Sequence, residues 1–356
     1  MMARRFALLL SVVSVLSIAA ASGALAGNDQ RHPAEAPPRW ELPVAGGEVD
    51  QAPAVEVDGY TVWLPLLTRP RVQSEWVLHK TADGAHPSGH EQQMMWLMNR
   101  ARANPRQEGV WLATSDHQEI AGPRDYFQVN VTLLQGEFAS YAAKPPAAFD
   151  RRLYEAARQH SAYLISIDGQ NHDGQFERVV AAGFHLAGAR GNVFSFARSG
   201  IYAHAGFNID WGTAPDGMQT GRGHRMAVMA VDGNYTNVGL AMVPENNPAT
   251  SVGPLVTTGN YARAAEGYAD HYNTFITGTV WRDVNDNGLY EPGEGVGGVT
   301  VRPDGGPYYA LTAASGGYTV PILSPGDYVV TMGPPVGEQF PVTVASGSVL
   351  LDAVVP

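Results

Sequence analysis

The sequence predicts an α+β protein that ends in a small all-β sandwich. Three observations lead to this fold class. Segments with helical spacing of apolar residues come first, strand-like segments follow them, and short β-branched segments separated by turn residues fill the C-terminal part. With 356 residues, the chain is long enough for two ordinary domains.

The N-terminus has the features of a signal peptide. MMARR is a short basic start, an apolar run follows, and Ala-Leu-Ala at 24 to 26 fits the small-x-small cleavage rule. The alternative, a membrane anchor, disagrees with the polar, Pro-rich sequence that follows directly. We therefore predict a signal peptide over residues 1–26, a secreted, extracellular protein, and no membrane span in the mature chain.

Residues 27–87 read as a linker. They are rich in Pro, Gly and Ala and show no periodicity. YTVWLPLLTRP, at 60 to 70, alternates well enough for one strand or a docking segment.

Residues 88–262 contain the predicted helices and the first strands. Apolar residues recur at helical spacing in EQQMMWLMNRARANP, where Pro105 ends the helix. A second helix is predicted in PPAAFDRRLYEAARQHSAYLIS, a third in FERVVAAGF before Gly183, and a short fourth in IYAHAGFNIDWG. NVGLAMV and PLVTTGNYA are typical of strands.

Residues 272–356 have a different pattern. Segments such as ITGTVWRDV, GGYTVPI and GDYVVTM are short, β-branched and separated by Gly, Pro, Asn and Asp. Evenly spaced short strands with turn signals predict a small β-sandwich.

Composition limits the function classes. The chain is 44% hydrophobic and carries a net charge of -11, so it can bury a core, and its surface repels nucleic-acid phosphates. We therefore predict no nucleic-acid partner. There is no cysteine, which excludes disulfides and thiol ligands.

The segment DVNDNGLYEPGE, 283 to 294, matches the calcium-loop pattern D-x-[DN]-x-[DN]-G-x5-E at every defined position. Gly288 permits the sharp turn, and hard oxygen ligands at this spacing suit calcium. The flanking segments are strands, so an EF-hand helix pair is excluded; a plain Asn/Gly turn between two strands is the alternative. The predicted ligands are Asp283, Asn285, Asn287, the carbonyl of Leu289, and Glu294.

A resemblance covers the same region. GTVWRDVNDNGLYEPGEGVGGVTV, followed by SGGYTV and SPGDYVVTM, resembles the prealbumin-like B-type repeats of bacterial surface adhesins. The resemblance implies a structural spacer with calcium as its stabilising ion.

Six polar residues in the middle region are candidates for a site. Two histidines and a carboxylate on separate elements can form a divalent-metal or acid/base site. Spacing alone does not bring them together, and each also has an ordinary role in the core, in a loop or at a helix cap. The candidates are His160, His172, Asp173, His204, Asp210 and His224.

The order of several motifs adds a second resemblance. NRARANP, AARQHSAYL, NHDGQFERVVAAGF, GNVF, GHRMAVM and NVGLAMV together resemble the bacterial form of the CAP superfamily, which includes cysteine-rich secretory and pathogenesis-related proteins. The resemblance implies an α-β-α sandwich with a cleft that often holds two histidines and two acidic residues, able to bind zinc or another divalent ion.

The resemblance carries over to particular residues. His172, in NHDG, takes the place of the first cleft histidine, and His224, in GHR, takes the place of the second. The usual Gly-Glu-Asn motif reads Arg-Gly-Asn here, so Gly191 stands at the glutamate position. Asp210 is the best candidate for the other acidic position. Loss of one anionic ligand predicts weaker metal binding.

The sequence thus favours a secreted, non-catalytic binding protein with a degenerate cleft and a calcium-stabilised β-sandwich. The ligand class stays open among lipid, glycan and protein. The alternative is a divalent-metal-dependent hydrolase, peptidase-like, using His172 and His224. Against it, the sequence has no H-E-x-x-H motif and no clearly placed general base, and a serine mechanism lacks the G-x-S-x-G elbow.

Overall fold

The computed structural model describes residues 16–18, 54–57, 60–63 and 72–356. The chain forms two compact units, one comprising Met1–Ala20 with Gln73–Pro356 and the other Ala21–Val72. Most of the predicted signal peptide and linker lies outside the described residues. In the second unit, β2 (Ala54–Val57) pairs antiparallel with β3 (Tyr60–Trp63). Strand β3 lies in the segment 60 to 70 that was predicted to hold a strand, and β2 was not predicted.

The described residues of the first unit form eight α-helices and a central sheet. The helices are α1 (Gly89–Ala103), α2 (Pro105–Thr114), α3 (Gln118–Tyr126), α4 (Val131–Ser140), α5 (Arg151–Ser166), α6 (Gln175–Ala181), α7 (Gly200–Ile209) and α8 (Gly223–Val228). The strands of the sheet are β1 (Leu16–Ile18), β5 (Ala148–Phe149), β6 (Leu186–Ala197), β7 (Asn237–Pro244) and β8 (Leu255–Ala264). The sheet order is β1-β6-β8-β7-β5.

Local signals explain where the first helices begin and end. Ser88 caps α1 through a capping box with Glu91, which satisfies two orphan backbone donors. Pro105 ends the α1 pattern and occupies the first turn of α2, where a missing N–H is harmless. Helices α2 to α4 were not predicted. Helix α3 buries only Ile120 and contains Pro123, so its apolar periodicity is weak.

Helices cover both faces of the sheet, and the alternation along β6 identifies the two faces. Ala189 packs in a cluster with Phe176 of α6, whereas Phe194 packs against Phe207 of α7. Since successive side chains of a strand point to opposite faces, the odd-numbered residues of 189–194 face α5 and α6, and the even-numbered ones face α7 and α8. The strand is irregular between Phe194 and Ala197. The predicted α+β class is confirmed, and the CAP-like identity of the layered domain stays a prediction.

Helix α5 lies unusually close to β7. A Cβ atom at Gly239 would lie 2.1 Å from both the carbonyl carbon of Leu153 and the nitrogen of Tyr154. Only glycine permits this approach of helix backbone to sheet.

Two sheets form the C-terminal part. Their strands are β4 (Ser74–Glu75), β9 (Phe275–Trp281), β10 (Thr300–Pro303), β11 (Tyr308–Leu311), β12 (Gly317–Pro321), β13 (Gly326–Met332), β14 (Gln339–Val344), β15 (Val349–Leu350) and β16 (Ala353–Val354). One sheet has the order β14-β13-β10-β11-β4, and the other has the order β12-β9-β15, with β16 also paired to β9. Because β4 pairs with β11, the end of the predicted linker belongs to this part of the molecule.

Candidate functional site

Asp210 and His224 form a buried pair on the face of the sheet that α7 and α8 cover. Asp210 ends α7 in a left-handed conformation, with φ 57° and ψ 45°, which aspartate tolerates better than most residues. Its carboxylate accepts the backbone N–H of His224 at 3.2 Å and lies 2.6 Å from Nδ1 of the same residue. The side chains are 0% and 2% exposed, so the pair is shielded from bulk water.

The pairing fixes the chemistry of the imidazole. The carboxylate of Asp210 accepts this contact, so Nδ1 of His224 donates, and in the neutral imidazole Nε2 then presents a lone pair. Within the described residues, this buried Nε2 has no hydrogen-bond partner. The ring stacks on Phe207 with centroids 5.4 Å apart and 27° between planes, which holds its orientation.

A small pocket lies beside His224. Its volume is about 10 Å³, room for one water-sized group. Besides His224, it is lined by Val193, Phe194, Gly206, Phe207, Trp211 and Gln219. This lining is apolar apart from Gln219 and the imidazole, and it supplies no hydroxyl, thiol or carboxylate.

Aromatic rings continue from the pocket toward the surface. Phe127 stacks on Trp211, with centroids 6.2 Å apart and planes at 7°. Tyr126 meets Phe127 edge-on at 5.0 Å and is 55% exposed. These ring contacts connect Trp211, which lines the pocket and is buried, with Tyr126 at the surface.

His172 lies at the start of α6 and has different partners. It is 9% exposed, and its Nδ1 lies 2.6 Å from Oε1 of Gln175. The Gln175 amide nitrogen in turn donates to Oδ1 of Asn260 at 2.8 Å and to the carbonyl of Gly259 at 3.2 Å. His172 is thus tied to the sheet through a neutral amide.

Gly191 explains why that amide fits. A Cβ atom at position 191 would lie 2.6 Å from Nε2 and 2.7 Å from Oε1 of Gln175. The Gln175 side chain therefore occupies the space into which a larger residue at 191 would extend. At this place the structure has an uncharged amide where the CAP resemblance implies a glutamate.

We expect Gly191→Ala to destabilise the protein by about 1–3 kcal/mol, because the added methyl group pushes the Gln175 amide away from its buried partners. In the double variant Gly191→Ala/Gln175→Ala the methyl group has room, so the two effects should be clearly non-additive. Urea unfolding of the four proteins in this cycle measures the coupling. Additive effects would contradict this account of Gly191.

The two cleft histidines attach to opposite faces of β6. The Cβ position of Gly191 faces Gln175, which holds His172. The side chain of the next residue, Asn192, donates to the carbonyl of His224 at 3.1 Å. Among the described residues, no group of three or more His, Cys, Asp or Glu side chains is placed to hold a metal ion. A tetrahedral zinc site needs at least three protein ligands. The arrangement does not fit a shared ion, and the divalent-metal cleft stays a prediction.

The other three candidates have structural partners. The His160 Nε2 lies 3.0 Å from the carbonyl of Asn171, and burial lowers the His160 pKa to about 4, which keeps the ring neutral. His204 lies 2.8 Å from the buried carboxylate of Glu108. Asp173 accepts a bond from Arg178 through its backbone carbonyl. None of these contacts leads to the His224 pocket.

The predicted calcium loop lies between β9 and β10, and the carboxylates of its two predicted acidic ligands, Asp283 and Glu294, turn toward the loop backbone. Asp283 accepts the backbone N–H of Asn287 at 3.1 Å and that of Gly288 at 2.7 Å. Glu294 accepts the backbone N–H of Val284 at 2.9 Å, which brings the two ends of the loop together.

The amide ligands follow the same inward orientation. Oδ1 of Asn285 accepts the N–H of Asn287 at 3.2 Å, and Oδ1 of Asn287 accepts that of Leu289 at 2.7 Å. All predicted donors are hard oxygens within one closed loop, a donor set that fits calcium.

Four residues of the His224 and His172 surroundings were not predicted from the sequence. They are Gln175, Phe207, Trp211 and Gln219. Gln175 lies in the quoted motif NHDGQFERVVAAGF, and Phe207 and Trp211 lie in the aromatic segment IYAHAGFNIDWG, but neither pattern assigned these residues a role.

Comparisons with known proteins find little similarity. No family model matches the chain, and no curated protein matches it. Among solved structures, the chain is similar to an extracellular protein containing an SCP domain from Bacillus anthracis str. Ames, at 19% identity and a TM-score of 0.25. The alignment spans 42% of this chain and 44% of that one. No helix in the described part of the chain has both the length and the apolar character that crossing a bilayer requires.

Proposed function

We propose that this chain is an exported binding protein that holds a hydroxyl-bearing ligand at the Asp210–His224 pair and calcium in the loop 283 to 294. One observation carries the ligand proposal: the buried His224 Nε2, polarised by Asp210, has no hydrogen-bond partner among the described residues and lies beside an aromatic pocket. The predicted signal peptide and the CAP-like order of motifs support export and an extracellular ligand.

The geometry favours a ligand with one hydroxyl group and an apolar face. The Nε2 lone pair accepts a hydrogen bond from a hydroxyl, and the pocket has room for one such group. The rest of the ligand would lie outside this small pocket, toward Phe127 and the exposed Tyr126, and make apolar contact with them. Lipids with a hydroxyl headgroup and glycans share this chemistry.

Binding is favoured over catalysis because the pocket supplies no nucleophile. Its lining contains no Ser, Thr, Cys, Lys, Asp or Glu. The alternative, a metal-dependent hydrolase using His172 and His224, requires both histidines on one ion, and they attach to opposite faces of β6. A hydrolase without metal would use His224 as a general base toward water, with Asp210 orienting the ring.

The test uses matched probes that differ in a hydroxyl group: benzyl alcohol against toluene, and cyclohexanol against cyclohexane. We expect only the alcohols to shift the imidazole nitrogen resonances of His224. His224→Asn keeps an N–H donor near the position of Nδ1 for Asp210 and has no atom at the position of Nε2, so it should weaken alcohol binding about tenfold or more, equivalent to about 1.4 kcal/mol.

His160→Asn serves as the control, since His160 is buried and does not line the pocket. Equal binding of toluene and benzyl alcohol, or equal binding by wild type and His224→Asn, would overturn the ligand proposal. Ester or peptide hydrolysis that His224→Asn abolishes would favour the hydrolase instead.

The calcium part of the proposal rests on the inward-turned oxygens of the loop and on the resemblance to adhesin B-type repeats. Calcium stabilises a β-sandwich that has no disulfides, since the chain has no cysteine. Loop occupancy is tested by the melting experiment in the Discussion.

A further inference from the structure

The calcium loop contacts the helical domain directly. The carbonyl oxygen of Tyr290 accepts a hydrogen bond from Nε2 of Gln93 on α1 at 3.2 Å. Pro292 packs against Gly89 at the start of α1 so closely that a Cβ atom at Gly89 would lie 2.9 Å from the Cβ of Pro292. The loop is therefore part of the contact between the β-sandwich and α1, not only a turn within the sandwich.

Gln93 extends this contact to α7. Its Oε1 accepts the backbone N–H of Ile201 at 3.1 Å, in the first turn of α7. The neighbouring Gly200 is equally close, since a Cβ atom there would lie 2.4 Å from the carbonyl oxygen of His90. Gln93 is only 5% exposed, so both hydrogen bonds of its side-chain amide are shielded from water. One buried side chain thus joins the loop, α1 and α7.

Aromatic packing also joins α1 to the loop. Trp96 of α1 meets Trp281 of β9 edge-on at 5.9 Å, and Trp281 meets Tyr290 at 6.0 Å. Tyr290 is 1% exposed, and its hydroxyl donates to the carbonyl of Ser315 at 3.0 Å. A shift of Tyr290 would disturb α1 and the sandwich together.

A calcium ion bound by the predicted ligands would fix the position of this part of the loop. Tyr290 and Pro292 lie between two of the predicted ligands, Leu289 and Glu294. The loop holds four acidic residues and no basic one, so its carboxylates repel each other until a cation neutralises them: Asp283, Asp286, Glu291 and Glu294. Closing the ion shell fixes the segment that contacts Gly89 and Gln93.

We propose that calcium in this loop clamps the β-sandwich onto α1 and, through Gln93, fixes α7, so that calcium strengthens ligand binding at His224. Helix α7 carries Gly206 and Phe207 of the pocket and ends at Asp210, the partner of His224. The inference rests on the proposed calcium site. Thermodynamic reciprocity requires that a hydroxyl ligand in the pocket also tightens calcium binding.

Hydrogen exchange on the full chain tests this proposed clamp. Titration calorimetry on the same samples measures calcium binding. In wild type, calcium should slow exchange of the Ile201 and Tyr202 amides about tenfold. Gln93→Leu should still bind calcium but lose this protection. Gln92→Leu is the matched control, because Gln92 donates to Thr279 of β9 at 2.8 Å and not to the loop. It should keep the protection.

Pro292→Ala provides a second variant that leaves the ligands in place, in case Gln93→Leu does not fold. It should reduce the calcium-dependent protection of α7. If calcium binds in a Glu294-dependent way and exchange in α7 is unchanged by it, the clamp is wrong and the calcium site stands. If calorimetry detects no calcium binding, the calcium part of the proposed function fails, and the clamp fails with it.

Discussion

Calcium at a hundredfold excess over its dissociation constant is expected to raise the melting temperature of this protein by about 5–10 °C. A ligand at that excess stabilises the folded state by about 2.7 kcal/mol, and each kcal/mol shifts the midpoint of a domain of this size by about 2–4 °C. Glu294→Gln should abolish the shift. The substitution keeps the shape of the side chain and one acceptor oxygen but removes the charge and the bidentate carboxylate that closes the loop.

Differential scanning calorimetry with calcium and with a chelator measures this effect. Glu338→Gln is the matched control, because Glu338 is exposed and lies in the same part of the chain but outside the loop. It should respond to calcium as wild type does. A calcium shift of the same size in Glu294→Gln would show that calcium acts elsewhere.

Asp352→Asn is expected to stabilise the protein at pH 7 by at most about 3 kcal/mol. Asp352 lines a small cavity between α1 and the C-terminal sheets. Burial raises the pKa of its carboxyl group to about 6, against hydrogen bonds from the Thr279 N–H and the Trp96 side chain that lower it. A difference of about two pKa units from the ordinary value of 3.8 corresponds to about 3 kcal/mol.

The sign follows from which protonation state the fold prefers. Because the folded-state pKa of Asp352 is raised, the folded state binds the proton more tightly than the unfolded chain does. The stabilising contribution is complete below pH 3.8 and is lost as pH rises to about 6. Asparagine does not titrate and keeps an acceptor oxygen for the Thr279 N–H, so its advantage should appear between pH 4 and 6 and stay constant above.

Urea unfolding of wild type and variant from pH 3.5 to 8 measures the difference in unfolding free energy, which cancels the titration of all other groups. Asp125→Asn is the control, since the Asp125 side chain is 75% exposed. It should show no step between pH 4 and 6. A less stable Asp352→Asn protein at pH 7 would mean that the charged carboxylate is held by favourable bonds that outweigh its burial.

The sequence alone determined the features that depend on local chemistry. Three patterns each predict their secondary-structure element: the helical spacing of apolar residues that ends at Pro105, the apolar face of α5, and the short strands separated by turn residues after residue 272. The spacing of apolar residues and the position of turn residues are enough to predict these elements. The calcium-loop pattern is equally local, since all its oxygens come from twelve consecutive residues, 283 to 294. These predictions needed no knowledge of distant contacts.

Strand β6 shows where local patterns stop being informative. It carries Arg190, Asn192 and Ser195, all buried, so its sequence does not alternate as a half-exposed strand does. Both faces of the strand are covered, and distant partners satisfy the polar side chains, such as the carbonyl of His224 for Asn192. Only the packed structure explains why this segment is a strand.

The tertiary structure also decided which candidate residues meet. His224 and Asp210 are fourteen residues apart, and a left-handed turn at the end of α7 joins them into one buried pair. His172 was an equally strong candidate by motif, yet Gln175 holds it on the other face of β6, in the space that Gly191 leaves open. Residue types establish what chemistry each side chain can perform. Which face of the sheet it lies on depends on strand alternation and helix packing, which spacing along the chain does not encode.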